Sequence, residues 1–228
     1  MKNLLLGILA LAALAGGAVP AQAHERYFTY TYDWFTPAKN EKEVELWWTQ
    51  SEGGNADGQV EFEYGITNRW MAAPYLLLKR EHGGDFEVEG WKLEQRYRFG
   101  KFGYRRLLPA VYLEVAKERE QPYELEGKFI TSYLFGGGWV WSNNFIFEGK
   151  VQDRAKTELA YAGGLSYPVT RKLRAGAELF GNWTEKEHFF GPTLGYKFTR
   201  DTKLLATAGF RYVGSTGGAV RLIFEKEW

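Results

Sequence analysis

The last twelve residues, GGAVRLIFEKEW (217–228), decide the reading of the chain. Val220, Leu222, Phe224 and Trp228 fall on one face at period two. Arg221, Glu225 and Glu227 point the other way, with Ile223 among them. An exposed Trp at the end of a strand gains little in water. It gains in a bilayer, where the last strand of a barrel closes the sheet and its terminal ring lies at the membrane–water interface.

Similar endings recur upstream. Tyr64, Tyr97, Tyr133, Tyr167 and Tyr196 each close an alternating run, and up to Trp228 the intervals are 33, 36, 34, 29 and 32 residues. That is about the length of one up-and-down hairpin of membrane-crossing strands with its connections. The runs begin at Glu43–Gln50, Gln59–Tyr64, Trp70–Lys79 and Phe86–Phe99. They continue through Leu107–Ala116, Glu124–Phe135, Trp139–Val151, Glu158–Tyr167, Leu173–Trp183, Phe190–Phe198 and Leu204–Val213. With the final run they predict an all-β fold, a single closed antiparallel transmembrane β-barrel of about 12 strands with up-and-down topology. The polar connections SEGGNADG, EHGGD, KEREQP, QDRAK, TEKEH and GSTGG fall at one end, and the aromatic-flanked turns at the other.

Residues 1–23 read as a cleavable signal peptide: Lys2 opens it, Leu4 to Ala15 is apolar, and Ala21-Gln22-Ala23 is the cleavage site. Residues 24–228 are then the barrel, exported to the bacterial outer membrane. The chain has no Cys, so a disulfide scaffold and a lipid-anchored lipoprotein are excluded. Without Lys2, the 29 basic residues become 28 against 28 acidic ones. That balance offers nothing to nucleic acid. The expected partners are outer-membrane lipid and lipopolysaccharide, the barrel-assembly machinery during biogenesis, and small solutes. No motif asks for a cofactor or a metal. The segment His24 to Pro37, HERYFTYTYDWFTP, is either a short extra strand or a stretch folded into the barrel's inner mouth. The short connections predict no lid, plug domain or long receptor loop.

Alternation alone leaves open which face is wet, because a soluble barrel keeps its apolar face inside. Two features favour the apolar face outside. Aromatics gather beside the turns, while Leu93, Leu113, Leu159 and Ala177 occupy strand middles. Twelve strands also enclose more space than a small soluble barrel needs.

The turn Tyr64-Gly65-Ile66-Thr67-Asn68-Arg69-Trp70 is echoed by YPVTRKL at 167–173 and by YKFTR at 196–200. It resembles the hairpin of Gram-negative outer-membrane barrels, especially the meta-pathway phenol-degradation-type outer-membrane proteins and related uncharacterised barrel families. The stretch HERYFTYTY is similar to mature N-termini among the latter. Lys226 departs from the alternate apolar pattern of their assembly signal. The resemblance implies an outer-membrane location and passage of small molecules, and it carries over no catalytic residue.

With the apolar face outward, the lumen is lined by charges of both signs. Glu61, Glu63, Lys92, Glu94, Arg96, Arg98, Arg211 and Arg221 are the constriction candidates, with Arg96 and Arg98 opposed by Glu61 and Glu63. Such a lining suits a narrow polar channel for passive diffusion of small charged or polar solutes. The same charges, paired with each other, also suit a non-conducting structural barrel with a salt-bridged interior. A rim-sited hydrolase would draw on His82 with Asp85, or on His188 with Glu185 and Glu187.

Overall fold

The structure is a computed structural model that describes residues 26–152, 156–213 and 217–228. The signal segment 1–23, with His24 and Glu25, lies outside the described residues. Twelve strands follow one another: β1 (Lys42–Ser51), β2 (Ala56–Gly65), β3 (Trp70–Arg80), β4 (Glu87–Arg98), β5 (Leu107–Glu118) and β6 (Glu124–Leu134). Then come β7 (Val140–Lys150), β8 (Glu158–Pro168), β9 (Leu173–Asn182), β10 (Glu187–Lys197), β11 (Thr202–Val213) and β12 (Gly218–Glu227). Each pairs antiparallel with its sequence neighbours, and β1 pairs with β12 to close the barrel. β2 begins at Ala56 rather than Gln59, and β10 at Glu187 rather than Phe190. Hairpin pairing of Ala56 with Gln50 and of Glu187 with Asn182 extends the ladder past the alternating residues.

Closure runs to the final residue. Trp228 and Lys42 exchange backbone hydrogen bonds of 3.0 and 3.2 Å, and the Trp228 ring lies 6.3 Å from that of Phe62 on β2. Lys226, the residue that breaks the apolar alternation, ion-pairs with Asp201 at the end of the preceding turn. That pairing, with the Thr199 hydroxyl donating at 2.5 Å, holds the Asp201 carboxyl below its usual range.

The pleat sorts side chains by polarity. Leu113 is 66% exposed on the outer face and Glu61 0% on the inner one. Phe129, Phe145, Leu165, Leu194 and Phe210 share the outer face, while Glu45, Glu94, Arg96 and Glu178 are buried within. This is the reverse of a soluble barrel and fits hydrocarbon outside.

The stretch that precedes β1 is not an extra strand. Residues 26–37 enter the lumen and are buried there, with Phe28, Thr29 and Thr31 at 0% exposure and Trp34 at 1%. Of the two places left open for this segment, it takes the one inside the barrel, and the filling of the lumen comes from it rather than from the short connections. The chain leaves the lumen over Gly65, where Asn40 donates to the Gly65 carbonyl at 2.8 Å. A Cβ at Gly65 would lie 1.8 Å from the Ala38 carbonyl oxygen, so only glycine lets the chain pass.

Leu113 sits midway along β5. Leu113→Lys is expected to lower folding stability in lipid vesicles by about 2–4 kcal/mol, measured by urea titration of tryptophan fluorescence. An outer face in contact with water rather than acyl chains would leave the substitution near neutral.

Candidate functional site

The lumen is built from inward side chains of the wall and from the backbone of residues 26–37. Because the segment forms no ladder, its amides need other partners. Glu178, inward on β9, provides the largest share. Its Oε1 accepts from the Thr29 amide at 2.9 Å, and its Oε2 from the Tyr30 and Thr31 amides at 2.8 Å each. The Thr29 and Thr207 hydroxyls complete its coordination at 3.2 and 2.7 Å. Three successive amides turned on one carboxylate form an anion-binding nest, which here fixes the segment rather than a free ion.

Glu178 pairs across the strands with Gly164 and Gly191. The missing side chain at Gly164 makes room for Phe28, whose ring would lie 2.5 Å from a Cβ there. Tyr30 stacks on Phe180 at 3.7 Å, and the Arg221 guanidinium lies 4.0 Å from the Tyr30 ring.

Further along, Asn144 on β7 acts as a substitute peptide. Its Oδ1 accepts from the Tyr32 amide at 2.7 Å, and its Nδ2 donates to the Tyr32 carbonyl at 2.8 Å. The Ser132 hydroxyl accepts from the Trp34 amide at 2.9 Å and is itself bonded to Ser142. Tyr32 takes cations around its ring: Arg26 at 4.7 Å, Arg96 at 4.8 Å and Lys128 at 4.0 Å. Each contact is worth about 2 kcal/mol when desolvated.

The expected constriction is assembled only in part. Arg96 pairs with Glu63 at 3.2 Å and with Glu94 at 2.7 Å, and donates to the Phe35 carbonyl at 3.1 Å. It reaches Glu63 across β3, which stands between β2 and β4, and the small inward Ala73 lies opposite Glu94. Arg98 is not part of this group. It donates to the Asn68 carbonyl and covers the Trp34 ring at 4.5 Å, beside a cavity of about 290 Å³ lined by Asn68, Arg69, Lys101 and Phe102.

The remaining candidates are spread around the wall. Lys92 pairs with Glu114 at 2.9 Å, Arg211 with Glu187 at 3.0 Å, and Arg221 donates to Thr49 at 2.9 Å. Glu61 sits beside Glu45 and Glu63, apart from the Arg96 pairs.

Neither Glu178 nor Asn144 is among the constriction candidates read from the sequence. The short polar side chain at an inward strand position was the available signal for Asn144. His188 and Glu187 take different partners. That ring meets the Tyr161 hydroxyl at 3.0 Å beside the outward Tyr212, while Glu187 pairs with Arg211. His82 is exposed, and its amide donates to Asn55 at 3.0 Å.

A sequence model of the family described as "Putative MetA-pathway of phenol degradation" matches residues 106–220. No curated protein sequence matches the chain. Among solved structures, the barrel is similar to the KdgM porin in complex with disordered oligogalacturonate. The TM-score is 0.65 at 11% identity, covering 82% of this chain and 99% of that one. It is also similar to the NanC porin, with TM-score 0.64 at 8% identity over 81% and 100% of the two chains. An outer-membrane channel from Pseudomonas putida F1 gives TM-score 0.61 at 11% identity over 93% and 100%. At these identities the likeness is one of fold.

Glu178→Ala would leave the three amides of Thr29 to Thr31 without their acceptor. A loss on the order of 3 kcal/mol is expected in denaturant titration, with Glu178→Gln retaining part of it. Equal stability of all three proteins would mean that the segment is not held at this point.

Proposed function

The chain belongs to the family described as "Putative MetA-pathway of phenol degradation", and on that premise we propose that it is a narrow outer-membrane channel for small polar or charged solutes. One observation carries this reading. The lumen is lined by ionic side chains, and what fills it is a segment held by side-chain hydrogen bonds rather than by the sheet. Residues 26–37 can therefore shift without breaking a strand ladder, and the polar wall then lines an aqueous path. Twelve strands stand between the eight that side chains can fill and the sixteen to eighteen of open porins. The complex of the KdgM porin with oligogalacturonate supports polar rather than apolar cargo.

In this reading residues 1–23 are removed on export, and the barrel-assembly machinery inserts the chain. Lipid and lipopolysaccharide then cover the outer face, and the protein performs no catalysis. A non-conducting structural barrel is the second reading, favoured by the burial of residues 26–37 among paired charges.

Planar-bilayer recording separates the two. The channel reading expects discrete conductance steps in the native protein and longer openings in Glu178→Ala, which releases Thr29 to Thr31. Silence of both proteins across voltages and salts would leave the structural barrel.

A further inference from the structure

The inward face of three adjacent strands carries glutamates in two rows. Glu45 on β1 stands directly opposite Glu61 on β2 and Glu225 on β12, and Glu43 stands opposite Glu63 and Glu227. Like charges placed directly across a sheet repel, and each of these carboxylates is buried. Within the rows, one carboxylate oxygen from each of Glu45, Glu61 and Glu63 lies within 4.8 Å of the other two.

The neighbouring guanidiniums do not serve all three equally. Arg26 pairs with Glu45 at 3.1 Å, and the Trp47 indole donates to the same oxygen at 2.7 Å. Arg96 pairs with Glu63 at 3.2 Å. Glu61 is 0% exposed, and neither of its oxygens has a hydrogen-bond partner among the described residues. A buried ionised carboxylate without a partner is costly, and it is stable when it coordinates a cation. Two of the three carboxylates are already oriented by guanidiniums, and the third has both oxygens available.

We propose that Glu45, Glu61 and Glu63 bind one hard divalent cation, of the Ca²⁺ or Mg²⁺ class, inside the barrel wall. Oxygen-only ligation selects such ions over softer metals. Calcium–oxygen bonds of about 2.3–2.6 Å let atoms at this spacing share one ion, with water filling its remaining positions. Glu45 and Glu61 come from the paired strands β1 and β2, so the ion cross-links the wall beside the closing seam. Through Glu45 it also adjoins Arg26 of the luminal segment. The inference is independent of whether the lumen conducts.

The test uses the barrel refolded in detergent without lipopolysaccharide, stripped with EDTA and dialysed free of it. Isothermal titration with CaCl₂ and with MgCl₂ should show one equivalent bound by at least one ion. Glu61→Gln should weaken that binding at least tenfold, and the exposed Glu87→Gln should leave it unchanged. Absence of binding by the native protein, or equal binding by Glu61→Gln, overturns the proposal. Should Glu61→Gln fail to fold, native crystals soaked in MnCl₂ decide the matter. An anomalous peak between Glu45, Glu61 and Glu63 supports the site, and no peak there contradicts it.

Discussion

The constraint on which everything else rests is that a sheet in hydrocarbon can leave no backbone group unpaired. Twelve strands meet it by joining β1 to β12, with a continuous register from Glu43–Glu227 to Ser51–Ala219. Closure fixes the rest through the pleat. Once alternate residues must face lipid, the others are committed to a shared interior, and that interior receives buried charges of both signs. The outward Phe129 and Phe145 and the inward Lys128 and Asn144 belong to the same two strands and differ only in parity.

A barrel of this girth encloses more space than its own side chains fill, and residues 26–37 supply the difference. Their fit to the wall is chemical as well as steric. Backbone amides that would be costly if left bare are taken up by Glu178, Asn144 and Ser132, and the ring of Tyr32 sits among Arg26, Arg96 and Lys128. The lumen is thus a polar core in which segment and wall complete one another's hydrogen bonds. In the acidic patch on β1 and β2, both Glu61 oxygens lack such a complement among the described residues.

The barrel was legible in the sequence because period-two alternation survives in a single strand, as at 217–228, without knowledge of any partner. The inward charges were legible for the same reason. Which of them meet was not, because that depends on neighbours around the wall. Glu63 and Arg96 come together across the intervening β3, where the inward Ala73 is small, and Arg98, two residues along the strand, reaches a turn carbonyl at Asn68 instead. The place of residues 26–37 was open for a similar reason. Aromatic and Thr-rich composition suits a strand equally well, and the bonds that place the segment are formed with residues 112 and 147 positions away. The glycine at 164 that admits Phe28 carries no local sign of its use.

The central claim is that the apolar parity faces acyl chains and the ionic parity faces the lumen. The chain contains no cysteine, so each one introduced is a unique probe site. Single cysteines at positions 220 to 225 of β12, spin-labelled in liposomes, test the claim directly through collision with oxygen and with a water-soluble nickel chelate. Even positions should show high oxygen and low nickel accessibility, and odd positions low oxygen accessibility. The opposite phase, or no alternation at all, would contradict the account.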